Sequence, residues 1–337
     1  MTHPPQPDAA TPAARGPSRA LHGLTWVLAL GCFSYVYLQI ARAAGREGVS
    51  VFEFLQHFFA SADWLLWIAL MVPYSLVFFS IDAFAISRVV TWFNAPVRFW
   101  DLLPVRASTY ILALVNEQLG KGAMAVYLHR RFGVPGWEVG SSMVFVAFVE
   151  LYQLMLFSAL GTALHFELVQ RASGMLPLDS ILLGLFFGAS LYAALHLAYF
   201  RGRVLATSRL RERPILTAFR RARPSHYLTL IALKAPNLLL AIAVYWVALR
   251  LFHVDIRFGT LFAFLPVIFM AAALPLPFHA GALALWAALF PDYPEVSAFA
   301  FVMHVSFVLL NACIGLVFLP RANRELFGDG EVRPDPV

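Results

Sequence analysis

Eight long apolar runs constrain this chain more than any other feature. In lipid, backbone N–H and C=O groups must be paired within the protein, so runs of roughly 20 apolar residues form membrane-crossing helices. The chain is 60% apolar and 13% charged, whereas a soluble domain has about 45–50% apolar and 25% charged residues. We therefore predict an all-α integral membrane protein with one domain over residues 21–319. The runs cover residues 21–40, 64–81, 105–128, 141–165, 180–200, 227–249, 260–290 and 297–319.

The remaining segments exclude several classes of protein. Residues 1–20 are rich in Pro and Ala and predict a disordered tail, and residues 320–337 predict a second polar tail. The run 21–40 is longer than the apolar part of a signal peptide and predicts a retained first span. Cys32 and Cys313 each lie inside an apolar run and predict no disulfide. We find no nucleotide, hydrolase or metal-ligand motif, and predict no catalytic residue, cofactor or metal site.

The arginine distribution argues against eight plain crossings. Residues 201–223 contain eight arginines and one acid, which predicts a cytoplasmic segment. Residues 83–106, with Arg88, Arg98 and Arg106, predict the same side, yet three apolar runs lie between the two segments. The conflict disappears if 105–128 is a re-entrant hairpin with its tip at 116–122.

A second hairpin is predicted at 260–290. This run is too long for one span, and residues 274–281 interrupt it with two prolines and a glycine. Residues 21–165 and 180–319 then both follow the order span, span, hairpin, span, in opposite orientations. Such inverted repeats are common in secondary transporters. We predict six full spans, two re-entrant hairpins and cytoplasmic termini; eight plain spans are the alternative.

Only two lysines occur beside 23 arginines, and both lie in apolar surroundings. A buried ammonium costs roughly 2.5–3.5 kcal/mol on insertion scales, so it needs a partner or a function. Glu117 precedes Lys121 by four residues, the favourable order for a helical ion pair. Alternatively, Lys121 and the flanking Gly120, with the free N–H groups of a helix end, bind an anionic head group beside Asn116.

Among the other polar residues of the apolar runs, three are candidates for function. Glu150 has no partner near it in sequence, and we expect it to pair with Lys121 or Lys234 or to take up protons. Lys234 either reaches back to the interface or lines a polar pathway. His279, at the second tip, is either a packed polar residue or part of that pathway.

The basic segment has two interpretations. It either orients the protein only or forms a helix lying on anionic lipid, where each arginine contributes about 1 kcal/mol. The net charge of +6 needs no nucleic acid to explain it. The residues expected at the membrane surface are Arg201, Arg203, Arg209, Arg211, Arg220, Arg221 and Arg223.

Several of these residues resemble the lysylphosphatidylglycerol synthase transmembrane-region family, which is flippase-like. The resemblance is carried by Asn116, Gly120, the segment 128–133 and Glu150, and by the Pro-Leu-Pro…Gly segment 275–281. Lys121 stands where that family has Glu. Leu151 and Gln153 replace its later Arg and Asp. The soluble aminoacyl-transferase domain of the full synthases is not expected, so the resemblance implies lipid movement between leaflets, not lysyl transfer.

We therefore expect a flippase-like protein of a bacterial-type inner membrane. Its partners would be membrane lipids that are anionic or carry phosphate. A membrane-embedded lipid-modifying enzyme, with Glu150 or His279 as acid–base, and a non-transporting accessory protein are the alternatives. The predicted head-group pathway contains Asn116, Glu117, Gly120, Lys121, Glu150, Lys234 and His279.

Overall fold

The computed structural model describes residues 19–115, 117–172, 178–274 and 276–327. Side chains are not described at 19–22, 112–122, 171–179, 278 and 325–327. The predicted disordered tail 1–20 therefore lies almost wholly outside the described residues, as does the segment after 327. The helices are α1 Arg19–Glu47, α2 Val51–Ala60, α3 Trp64–Phe93, α4 Phe99–Val115, α5 Glu117–Phe132, α6 Gly136–Leu164, α7 Phe166–Ala172, α8 Leu178–Phe200, α9 Thr217–Arg221, α10 Pro224–Leu251, α11 Phe258–Ala272, α12 Ala280–Leu289 and α13 Val296–Phe327.

Six of the described helices, α1, α3, α6, α8, α10 and α13, are long and apolar enough to cross a membrane. Their outer faces carry large apolar side chains. Leu65, Phe187 and Val317, for example, are 81%, 66% and 77% exposed. Such faces suit hydrocarbon and not water. The prediction of an all-α, multi-pass membrane protein is confirmed.

Helices α3 and α10 pack against each other and run antiparallel. At one end, the Asp63 N–H donates to the Leu251 carbonyl over 2.9 Å. At the other end, the Trp92 ring stacks on His226 with centroids 4.9 Å apart. The two helices therefore lie along each other for their whole length.

The remaining helices pack around this central pair. α4 packs on α13, α11 packs on α6, and α1 and α8 lie towards the outside.

The shorter helices form two pairs, α4–α5 and α11–α12. In each pair, the chain enters and leaves at the same end of the molecule. In the first pair, α4 packs on α5. The Ser142 hydroxyl, at the start of α6, donates to Asn94 Oδ1, just after α3, over 2.7 Å. In the second pair, α11 packs on α12. The Phe252 ring, just after α10, lies 5.3 Å from that of Phe299 near the start of α13.

The structure corrects the predicted boundary near residue 81. Helix α3 does not end there but continues to Phe93, so Asp82 and Arg88 are helical. Arg106 likewise lies within α4 and not in a loop. The prediction failed because charge was taken as the end of a span, whereas Asp82 and Arg106 neutralise each other inside the protein.

The basic segment is not a single helix, so the interpretation of it as one helix lying on anionic lipid is wrong. Gly202 adopts a positive φ of 73°, and Pro214 interrupts any continuous helix. The segment contains two 3-10 turns, Arg209–Glu212 and Pro214–Leu216, followed by the five-residue α9. Helices α2 and α7 were not predicted, because both fall between the long apolar runs.

Candidate functional site

Four charged side chains from four helices meet inside the protein. The Asp82 carboxylate accepts from Lys234 Nζ over 2.9 Å through Oδ1 and from Arg106 Nη2 over 2.7 Å through Oδ2. Lys234 Nζ also contacts the Glu150 carboxylate. The helices that supply these groups are α3, α4, α6 and α10. Asp82 and Lys234 are only 3% and 7% exposed, and they meet because α3 and α10 pack along each other.

The Asp82 carboxylate is bound more completely than the Glu150 carboxylate. Arg106 Nε donates to Asp82 Oδ2 over 2.8 Å, and the Tyr110 hydroxyl donates to the same oxygen over 3.2 Å. Arg106 is held in turn by Thr109 Oγ1 at 3.1 Å and lies 5.0 Å from the centre of the Tyr110 ring. The side chain of Asp82 is 5% exposed, whereas that of Glu150 is 41% exposed. Glu150 is therefore the accessible carboxylate of the pair.

The charges balance. Two carboxylates face two cations, and desolvated charges without partners would cost several kcal/mol each. Removing one of these groups therefore leaves a buried charge uncompensated.

A cavity of about 330 Å³ lies beside this charge cluster. Glu150, Lys234, Gln153 and Asn237 contribute its polar wall. Gln153 Nε2 and Asn237 Oδ1 are buried and have no hydrogen-bond partner among the described residues. Buried polar atoms usually have partners, so these amides are candidates to bind a polar group. The Phe, Tyr and Trp side chains of the lining are Tyr74, Phe78, Tyr245, Phe269, Trp286, Phe301 and Phe307.

His279 lines the same cavity from the start of α12. Its backbone is left-handed, with φ 52°, a conformation that is costly for a residue other than glycine. Its Nδ1–H donates to the Ala272 carbonyl at the end of α11 over 2.8 Å, because a carbonyl oxygen can only accept. The ring packs against His304 of α13, with centroids 4.3 Å apart. Backbone strain of this kind clusters at functional sites.

The structure brings together three of the predicted pathway residues. Glu150, Lys234 and His279 line one cavity. Lys234 does not reach back to the interface, because it is buried against Asp82 and Glu150. Asn116 lies outside the described residues, as do the side chains of Glu117 and Lys121; Gly120 lies within the backbone of α5.

Asp82 and Arg106 were missed by sequence reasoning. Each lies at the margin of an apolar run, where a charge is ordinarily a boundary signal. Charge balance is the signal that could have found them. If Glu150 pairs with Lys234, a buried Arg106 still needs a second acid, and Asp82 is the acid that supplies it. Among the described residues, no group of three or more His, Cys, Asp or Glu side chains could hold a metal ion.

Several arginines of the basic segment bind the protein itself. Arg211 donates to the Ala206 carbonyl over 2.8 Å, and Arg220 donates to Thr217 Oγ1 over 3.0 Å. Arg221 donates to the Phe93 carbonyl over 2.9 Å and lies 3.4 Å from Glu138. The Arg221 contacts fix the segment against α3 and α6, whereas the Arg211 and Arg220 contacts lie within the segment. The exposed arginines of the predicted surface set are Arg201, Arg203, Arg209, Arg220, Arg221 and Arg223.

No protein-family model, no characterised protein and no solved structure shows significant similarity to this chain. We therefore infer function from the cavity and its charges.

Proposed function

We propose that this protein is a flippase-like transporter that moves a lipid with an anionic, phosphate-bearing head group between leaflets. The observation that carries the proposal is the cavity of about 330 Å³ beside the Lys234–Glu150 ion pair. A charged head group crosses hydrocarbon only where protein groups replace its water. Lys234 and the unpartnered Nε2 donor of Gln153 offer such groups, while the lipid tails remain in the bilayer.

The position of the ion pair within its helices supports this function. Glu150 lies 14 residues from each end of α6, Gly136–Leu164, which is about 21 Å at 1.5 Å per residue. Lys234 lies 10 residues after the start of α10. Charged groups this far inside spanning helices are expensive and mark transport pathways.

We further propose that α4–α5 and α11–α12 are re-entrant hairpins within an inverted repeat, in which α3 corresponds to α10 and α6 to α13. Three observations support this arrangement. The corresponding helices α3 and α10 are antiparallel, as opposite orientations require. α4 packs on α13 as α11 packs on α6. The tripeptide Leu-Pro-Val occurs in both first hairpin helices, at 103–105 and 265–267.

The same correspondence holds for the closest helix contacts. A Cβ built on Gly161 of α6 would lie 2.8 Å from the Ala263 Cα of α11. A Cβ built on Gly315 of α13 would lie 2.6 Å from the Ala107 carbonyl oxygen of α4. Each proposed hairpin is therefore held to the last span of the other half by a glycine contact. Small residues permit such close approach between membrane helices.

The resemblance to the lysylphosphatidylglycerol synthase transmembrane region supports the same function and the inner-membrane location. The arginines of 201–223 support cytoplasmic termini, because they favour the cytoplasm. The head-group contacts predicted for Asn116, Glu117 and Lys121 stay predictions.

Lipid movement in proteoliposomes tests the proposed function. Purified protein is reconstituted with fluorescent phosphatidylglycerol, or with fluorescent phosphatidylcholine as the zwitterionic comparison, and outer-leaflet fluorophore is quenched with dithionite. We expect quenching of the anionic lipid to exceed the 50% limit of protein-free vesicles. Ala282→Trp, which fills the cavity, should abolish the excess, and Gly188→Trp, where nothing lies near the added Cβ, should retain it.

Three results would contradict the proposal. Quenching limited to the outer leaflet for every lipid would favour an accessory protein. A chemically altered lipid, detected by mass spectrometry of the same vesicles, would favour an enzyme. Full transport by Ala282→Trp, together with loss in Gly188→Trp, would exclude the cavity as the pathway.

A further inference from the structure

We propose that Glu150 is an exchangeable counter-ion of Lys234, which the anionic head group replaces while Glu150 takes up one proton. This inference rests on the proposed function and specifies how that function is driven. The lipid and the proton would then cross together, without net charge.

The inference begins from the unequal binding of the two carboxylates. Asp82 accepts from Lys234, Arg106 and Tyr110 and is almost wholly enclosed. Glu150 contacts Lys234 and, within the described part of the chain, shows no other hydrogen-bond partner. Its side chain is 41% exposed and lines the cavity. A competing anion in the cavity therefore displaces Glu150 and leaves Asp82 in place.

The cavity wall provides a second set of contacts for that anion. Gln153 follows Glu150 by three residues on α6, so its amide shares a helix face with the carboxylate that the anion displaces. The buried Gln153 Nε2 has donor capacity and no partner among the described residues. Lys234 has three N–H donors, of which Asp82 occupies one. A phosphate oxygen at Lys234 would be within reach of both types of donor.

The balance of charge in the cluster requires that a proton be taken up when the anion binds. Asp82 and Glu150 together carry −2 and Arg106 and Lys234 carry +2, so the cluster is neutral before binding. A phosphodiester adds −1 and leaves Glu150 without its cation. An unpaired carboxylate at this depth is strongly disfavoured, and a proton from cavity water restores neutrality.

Other titratable groups surround Glu150. Lys234 of α10 joins it to Asp82 of α3, whose carboxylate also binds Arg106 and Tyr110 of α4. The same cavity contains Tyr74 of α3, Tyr245 of α10, His279 at the start of α12 and His304 of α13. The experiment therefore changes Glu150 alone and leaves both histidines in place.

A pH gradient across proteoliposomes tests the exchange. Vesicles containing fluorescent phosphatidylglycerol are given a difference of one pH unit with the membrane potential clamped, and the leaflet distribution is measured by dithionite quenching. One proton per lipid predicts about tenfold accumulation in the leaflet facing the alkaline side, because one pH unit is about a tenfold difference in proton concentration. Any lipid that Glu150→Gln moves should reach an even distribution between the leaflets. Glu138→Gln, on the same helix but bound to Arg221 outside the cavity, should behave like the unchanged protein.

The outcomes separate this inference from the proposed function. If the unchanged protein moves no lipid, the proposed function fails. If it moves lipid but the pH gradient leaves the distribution even, or if Glu150→Gln accumulates lipid as the unchanged protein does, the proton exchange is overturned and the transport stands. If Glu150→Gln does not fold, proton uptake by the unchanged protein, followed with a pH dye inside the vesicles, decides. Lipid movement without proton movement contradicts the inference.

Discussion

Asp82 is the residue that holds the charge cluster together. Its carboxylate joins Lys234 of α10 to Arg106 of α4, and the Tyr110 hydroxyl completes its hydrogen bonds. Glu150 adds a more exposed negative charge to the same lysine. Asp82 therefore has a structural role, whereas the exposure of Glu150 is suited to a role in binding.

Replacing Asp82 should destabilise the protein strongly. Asp82→Ala leaves Arg106 without its carboxylate in a buried site, and breaking a buried ion pair on one side costs about 3–5 kcal/mol. We expect a large fall in thermal unfolding temperature in detergent. Glu138→Ala, which removes a partly exposed contact with Arg221, should cost about 0–1 kcal/mol. Equal falls for both variants would contradict a structural part for Asp82.

The sequence identified part of this cluster. Glu150 and Lys234 are conspicuous because they interrupt apolar runs, and pairing between them was one expected arrangement. Asp82 and Lys234 are 152 residues apart in the chain, and their contact arises from the packing of α3 on α10. A local sequence pattern cannot indicate a contact between residues so far apart in the chain, so the network could not be predicted from residue spacing alone.

At the scale of elements, glycine contacts fix the two short helix pairs. Gly161 lets α6 approach α11, and Gly315 lets α13 approach α4. In both cases a Cβ would meet backbone atoms of the neighbouring helix, which cannot rotate away as a side chain can. The helices would have to separate.

The effect of a Gly→Ala substitution on stability should depend on how closely a neighbouring helix approaches the glycine. Gly161→Ala and Gly315→Ala should each destabilise the protein by about 1–3 kcal/mol, the usual cost of overpacking. Gly184→Ala in α8, where nothing lies within 4 Å of the new Cβ, should be neutral or stabilising by up to about 1 kcal/mol, because alanine is the better helix former. Thermal unfolding in one detergent measures all three. Stabilisation at Gly161 or Gly315 would show that the helices are not in this contact.

The boundaries of the helices show where prediction from apolar runs and charge counts fails. All six long helices coincide with predicted apolar runs, because length and apolar content are local properties. The extension of α3 to Phe93 was missed, because it depends on Asp82 being neutralised by another helix. The turns of 201–223 were missed because Arg220 and Arg221 bind backbone carbonyls, which a charge count cannot reveal.

At the scale of the whole molecule, the contacts show at which of its two ends each connection between helices lies. Asn94, Ser142 and Arg221 lie at one end, since Asn94 binds Ser142 and Arg221 binds the Phe93 carbonyl. Asp63 and Leu251 lie at the other. Both flanks of α4–α5 therefore lie at the first end and both flanks of α11–α12 at the second. The arginines of 201–223 favour the cytoplasm for the first end.

Cysteine accessibility tests that arrangement. In a variant without Cys32 and Cys313, single cysteines are placed at Arg98 and Gly136, on either side of α4–α5, and at Asp255 and Asp292, on either side of α11–α12. All four positions are exposed. In intact cells, a membrane-impermeant thiol reagent should label Asp255→Cys and Asp292→Cys, and should label Arg98→Cys and Gly136→Cys only after permeabilisation.

The pairing of the labels matters more than the side on which each pair is found. A run that crosses the membrane must place its two flanks on opposite faces, whereas a re-entrant pair must place them on one face. If Arg98→Cys and Gly136→Cys react on opposite faces, α4 and α5 together cross the membrane, and the inverted repeat is lost. If both pairs stay together but with the sides exchanged, the repeat stands and only its orientation reverses, because inversion relates the halves whichever end faces the cytoplasm. Labelling therefore separates the architecture from the charge rule used to orient it.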